Sequence, residues 1–253
     1  MTTLAAHRLT LSAAEYRYLV ERLGLSMPPG WEPGVATGVV LEDLAERGVL
    51  RGDTVHPSVV KNLEILAHPR VMLDTTASVG PDGLHSLHAV AGSLGASLFA
   101  LTGGGVELSL YPATALGQEL MRAVPEPAGA AEVSGRLPLD ALRELGLAEL
   151  LRDADPHATR EVLGTLGLPP AEAELASTVA DRVDGGLVCM ITAMVGEVAR
   201  SARVTWLHAA GGWVGITPDP DPSGRRMVRL EPVARADLGV WAAPYVSEAL
   251  SDG

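Results

Sequence analysis

The side chains in this sequence that could do chemistry are scattered. Seven histidines stand at His7, His56, His68, His85, His88, His157 and His208. None falls in the spacings with which proteins hold zinc. His85 and His88 are three residues apart, and on a strand that spacing puts them on opposite faces. The run Gly103-Gly104-Gly105 could cradle a phosphate. No Lys-Ser/Thr pair follows it, and the next residues alternate as a strand instead of opening a helix, so it reads as a hairpin turn. Asp219 and Asp221 could touch a cation, but two carboxylates without further oxygen ligands make a poor site. Cys189 lies among apolar neighbours, which raise a thiol's pKa and leave it unreactive. No serine occupies a nucleophile elbow. Asp74 belongs to a strand region, where catalytic acids often sit, but the sequence names no partner base for it. The expectation is no catalytic residue, no metal site and no cofactor.

The elements that hold these residues can be read from periodicity and punctuation. Ser12-Ala13-Ala14-Glu15 has the capping-box spacing, and Tyr16, Leu19, Val20 and Leu23 then share one helix face. Gly24 ends that helix, and Ser26 to Gly34 is a Pro/Gly loop carrying Trp31. Helices are predicted near Val39 to Arg47 and from Pro57 to Ala67. Strands follow at Val71 to Ala77, Leu84 to Ala91, Ser97 to Leu101 and Val106 to Tyr111, then a helix from Thr114 to Ala123. Val124 to Arg136 is rich in Pro, Ala and Gly and reads as a linker. Helical pieces are expected at Leu139 to Leu145, after Asp155-Pro156, and from Pro170 to Val183. Strands return at Leu187 to Val195, Arg203 to Ala209, Trp213 to Thr217 and Arg226 to Glu231. A last helix covers Ala234 to Leu250, interrupted at Pro244.

Composition narrows the function. A chain of 253 residues with 47% apolar residues can bury a large core. The net charge of −12 repels phosphate backbones and anionic lipid, which argues against nucleic-acid and membrane partners. One cysteine fits a reducing compartment. The N-terminal segment lacks the apolar run of a signal peptide, and no run reaches the roughly 20 residues of a bilayer span. A cytoplasmic protein is expected. The mean hydropathy of +0.21 follows from an Ala-rich composition or from an apolar partner surface.

The order helix, strands, Gly-rich hairpin, helix occurs twice. Phe99 to Leu108 and Trp206 to Gly215 align at a spacing of 107 residues, with Gly104-Gly105 on Gly211-Gly212. An internal duplication is expected, with half-repeats near 38–123 and 139–250 and two half-sheets sharing one core.

Three blocks carry a family resemblance. LTLSAAEYRYLVERLGLSMPPG opens the chain, LAERGVLRGDTVHPSVVKNLEILAHP spans Leu44 to Pro69, and GGWVGITPDPDPSGRRMVRLEP precedes the last helix. In order and length they resemble the EspG proteins of type VII (ESX) secretion. The match is diffuse and covers nearly the whole chain, 1–253, as one EspG-like domain. The resemblance implies an α+β fold, with a central antiparallel sheet flanked by N-terminal and C-terminal helical bundles and a pseudo-twofold internal repeat. It also implies a non-enzymatic cytosolic chaperone that binds the apolar tip of helical PE/PPE-like secretion substrates. Such a site needs about 800 Å² of apolar surface with a few large anchors. The candidates are Leu94, Leu98, Met190, Met194 and Trp213. Two other readings stay open: an enzyme with an unrecognised small-molecule pocket, and a structural subunit that only oligomerises, for instance as a homodimer.

Overall fold

The computed structural model describes residues 7–35, 38–39, 41–150 and 158–251. Strand β1 (His7–Leu11) leads into helix α1 (Ala13–Leu23). Ser12 caps α1: its Oγ accepts from the Glu15 N–H at 3.2 Å, and the Glu15 carboxylate accepts from the Ser12 N–H at 2.8 Å. Gly24 ends the helix with φ of +64°, where a side chain would be strained. Helix α2 (Leu41–Glu46) and the short hairpin of β2 (Leu50–Arg51) and β3 (Thr54–Val55) precede α3 (Pro57–Ala67). Four strands follow: β4 (Val71–Val79), β5 (Asp82–Ala91), β6 (Leu94–Ala100) and β7 (Val106–Pro112). A single 3₁₀ turn then opens α4 (Leu116–Arg122).

The second half begins with β8 (Gly135–Pro138), followed by α5 (Leu139–Leu150), α6 (Ala158–Thr165) and α7 (Pro170–Arg182). Strands β9 (Val183–Val195), β10 (Val198–Ala209), β11 (Gly212–Asp219) and β12 (Met227–Val233) come next, and α8 (Asp237–Ser251) closes the chain with Pro244 inside it. The Asp155-Pro156 helix start lies outside the described residues.

Ten of these strands form one antiparallel sheet, in the order β1-β7-β6-β5-β4-β9-β10-β11-β12-β8. The order reads outward in the same way from its centre, where β4 pairs with β9 and Leu73 faces Ile191. Each half builds three hairpins from that centre. The first pair close at Val79↔Asp82 and Val195↔Val198, the second at Ala91↔Leu94 and Ala209↔Gly212, and the third at Ala100↔Val106 and Asp219↔Met227. The Gly103-Gly104-Gly105 turn therefore belongs to a third hairpin and Gly211-Gly212 to a second. The alignment at a spacing of 107 residues joins turns that are one strand out of step.

Two segments differ from the sequence reading. The stretch 124–136 is packed: Val124, Ala131 and Val133 are buried, the Trp213 indole N–H donates to the Pro125 carbonyl at 3.0 Å, and its last residues enter β8. Gly185 and Gly186 lie inside β9, where a Cβ on Gly185 would come within 2.1 Å of the Ser78 carbonyl oxygen. Glycine is needed there for close strand approach.

The two sheet faces are covered differently. On one, α8 packs over β9, β10 and β4 and meets α4. Gly239 lies against Gly117 at that crossing. The core beneath holds Val71, Leu73, Leu187, Ile191, Trp206 and Trp213. On the opposite face, α3 covers β5, β6 and β7 over Leu87, Leu98 and Leu108. At the far end α5 and α7 cover β8 and its neighbours over Leu137, Val214 and Leu230.

Candidate functional site

Between those two helical groups the central strands are left partly bare. Side chains alternate across a strand, so residues 72, 74 and 76 of β4, 188 to 194 (even numbers) of β9, and 203 and 205 of β10 share this open face. One row shows the transition from core to surface. Leu98, Leu87, Asp74, Met190 and Arg203 are successive neighbours across five strands. Leu98 and Leu87 are fully buried under α3, Asp74 is half-buried, Met190 is 42% exposed and Arg203 is exposed. The result is a groove floored by Met72, Val188, Met190, Thr192 and Met194.

The second wall of the groove contains an apolar pocket of about 500 Å³. Leu142, Leu145 and Val179 from α5 and α7 form one side, and Leu207, Ile216 and Thr205 from the sheet form the other. Arg143 and Arg203 are the charged residues among its described lining. The first wall is polar. The Trp31 indole N–H donates to the Asp74 carboxylate at 3.2 Å, and the His85 Nε2 lies 2.8 Å from its other oxygen. The Trp31 and His85 rings lie against each other at a tilt of 37°, with centroids 4.2 Å apart.

That arrangement supplies the partner of Asp74 that the sequence left unnamed. His85 comes from the neighbouring strand, where it pairs with Thr76, so only sheet register brings it to Asp74. The small cavity beside it is lined by Tyr16, Trp31, Glu32 and His85, and contains no Ser, Thr, Cys or Lys among its described residues. Hydroxyl side chains beside the pair are Tyr16, which lines that cavity, and Thr76, which pairs with His85 across the strands. His88, on the opposite face of the same strand, is fully buried beneath α4, and its Nε2–H donates to the Glu119 carbonyl at 3.3 Å. Burial pushes its pKa down to about 3. Burial also pushes the Cys189 thiol up to about 11, which keeps it protonated and unreactive. Asp219 is held in ion pairs with Arg136 and Arg229. Among the described residues no group of three or more His, Cys, Asp or Glu is placed to hold a metal.

The five candidate partner residues separate. Met190 and Met194 lie on the groove floor, exposed and half-buried respectively. Leu94 is half-buried at the β5–β6 turn and packs against the core beneath α3. Leu98 and Trp213 are corrected to core positions. Leu98 shares the groove's face but α3 roofs it, and Trp213 points to the other face, 1% exposed, with its ring 6.3 Å from that of Trp206. The sequence reading missed Arg203, the Trp31–Asp74–His85 wall and the pocket. Arg203 sits opposite Met190, so the register of the β9–β10 hairpin was the one available signal.

The described residues thus form an α+β protein, a large antiparallel sheet carrying helices on both faces and partly open at its centre. The EspG family profile matches residues 12–242, and the chain belongs to the EspG family. No curated protein matches the chain by sequence. Among solved structures, the chain resembles the Mycobacterium tuberculosis type VII secretion system chaperone EspG5, which was solved in complex with the PE25–PPE41 dimer. The TM-score is 0.68 at 13% identity, over 96% of this chain and 97% of that one, and this likeness concerns the fold. HtdX of M. tuberculosis is matched at a TM-score of 0.19 and 12% identity, over 88% of this chain and 98% of that one, which carries no argument. Among the described residues no helix is long and apolar enough to cross a membrane.

Proposed function

We propose that this protein is a cytosolic chaperone of type VII secretion that shields the apolar tip of a helical PE/PPE-type substrate in its central groove. One observation carries the reading: strands β4, β9 and β10 are roofed on one face by α8 and only partly covered on the other, where Met190 is 42% exposed beside an apolar pocket of about 500 Å³. A bare methionine floor suits an adaptable contact with an apolar surface. The membership in the EspG family and the EspG5 complex support the nature of the guest. Binding without catalysis also fits a Cys189 thiol that burial holds protonated.

The groove sits at the meeting of two similar units. Each runs strand, three helices, four strands, helix, with the β2–β3 hairpin an addition to the first, and on this reading the half-repeats extend over 7–122 and 135–251. Arg8-Leu9-Thr10-Leu11-Ser12-Ala13 recurs as Arg136-Leu137-Pro138-Leu139-Asp140-Ala141 where the first strand of each unit meets its first helix. Leu116-Gly117 recurs as Leu238-Gly239 at the helix crossing. These echoes support an internal pseudo-twofold running through the whole of a single domain, with β4 and β9 at its centre.

The test is co-expression of the chain with a PE/PPE-type pair encoded beside its gene, followed by size-exclusion chromatography. A stoichiometric complex, with the pair insoluble when made alone, is the expected result. A well-folded chain that captures no such pair would contradict the proposal.

A further inference from the structure

The charge on the described lining of the pocket is opposite to that of the molecule. The chain carries −12 overall, but the charged residues among the pocket's described lining are two arginines, Arg143 and Arg203. Many arginines elsewhere are neutralised by neighbours, as in Arg47 with Glu15, Arg122 with Glu107 and Glu119, and Arg136 with Asp219, although Arg8, Arg51 and Arg70 make no ion pair among the described residues. Arg203 makes no ion pair among the described residues, and its side chain is exposed beside Met190. Arg143 shares the single carboxylate of Asp140 with Arg226, at 3.8 Å and 2.9 Å. The carboxylate on the groove, Asp74, stands one strand beyond Met190 and is already taken up by Trp31 and His85.

We infer that Arg203, with Arg143 across the pocket mouth, is a specificity residue that takes a carboxylate set beside the apolar tip of the bound partner. This rests on the groove being the binding surface proposed above. An apolar side chain entering the pocket brings its neighbouring residues to the two guanidiniums. An aspartate or glutamate there gains a charge-assisted, bidentate contact partly shielded from water. A lysine there meets like charge and is rejected. The Asp74 wall, one strand to the other side of Met190, fixes which edge of the partner faces which wall.

The probe is a designed two-helix hairpin peptide with two leucines at its tip, made with Glu, Gln or Lys beside them. Its binding to the full chain is read by fluorescence anisotropy at low and moderate salt. The Glu peptide is expected to bind about tenfold more tightly than the Lys peptide at low salt, with Gln between, and the gap to narrow as salt rises. Arg203→Gln should remove the order and Arg203→Glu should reverse it. Arg225→Glu, away from the groove and paired with Glu172, should leave it intact. Equal affinity for the three peptides, no binding of any, or a groove consumed by self-association in sedimentation would overturn the inference. Co-purification with a PE/PPE-type pair is scored separately. A pair retained without a charge preference leaves the chaperone reading standing alone. A charge preference without a pair leaves the carboxylate site standing alone.

Discussion

The three central strands carry two surfaces on one backbone. Leu73, Ile191 and Val204 point under α8 and are almost wholly buried, whereas their immediate chain neighbours Asp74, Met190 and Arg203 point into the groove. The alternation of a strand gives both surfaces the same geometry. What separates them is cover: α8 lies across one face, but α3 and the α5–α7 group stop short of the middle of the other. On the proposed function the covered face answers for stability and the open face for recognition, so single substitutions on adjacent residues should separate the two properties.

The largest effect is expected on the covered side. Ile191→Ala removes a fully packed side chain opposite Leu73 and should lower stability by about 2–5 kcal/mol, read by chemical denaturation. Its one-residue neighbour behaves otherwise. Met190→Thr, which puts a good strand former and no added charge beside Asp74, should leave the melting temperature nearly unchanged but weaken capture of a PE/PPE-type pair by about 2 kcal/mol, roughly thirtyfold. A destabilised Met190→Thr with intact binding would break the comparison.

The two histidines of β5 sharpen it further. His85 faces the groove and His88 the covered side, where burial holds its pKa near 3. The unfolded chain takes up a proton at His88 below about pH 6.5 and the folded chain does not, so stability falls as pH drops from 6.5 toward 3. By pH 5 this amounts to about 2 kcal/mol. His88→Gln should flatten that part of the decline, measured as the difference between the two denaturation profiles. The smallest effect concerns the second hairpins. Ala210 adopts φ of +53° where the matching turn has Gly92, so Ala210→Gly should stabilise the chain by up to about 1 kcal/mol.

Local signals were legible in the sequence. The Ser12–Glu15 cap, the Gly24 stop and the Pro57 start specify their helices through neighbouring residues alone, and the structure keeps α3 at Pro57–Ala67. The alternation of Val106 to Tyr111 gave β7, and the spacing of His85 and His88 gave their opposite faces. Edge strands β1 and β8 escaped because each is short and runs directly into a helix, so no long alternation marks it. The proposed internal repeat cannot rest on the alignment at a spacing of 107 residues, which joins a third hairpin to a second. Glycines with positive φ occur in hairpins throughout the sheet, from Gly80 to Gly224, and a feature shared by every hairpin cannot set which hairpin matches which. Site residues were harder for a different reason. Leu98 and Met190 lie in the same row of the same face, and only the position of α3 makes one core and the other surface.

The central claim is that the guest lies on the open face. Labelling the methionine methyl groups and recording their NMR spectra with and without a co-purifying PE/PPE-type pair tests it directly. Met190, Met194 and Met72 should shift or broaden in the complex, whereas Met27 and Met227, buried in the cores, should hold their positions. Unmoved groove methionines in a formed complex would contradict the account.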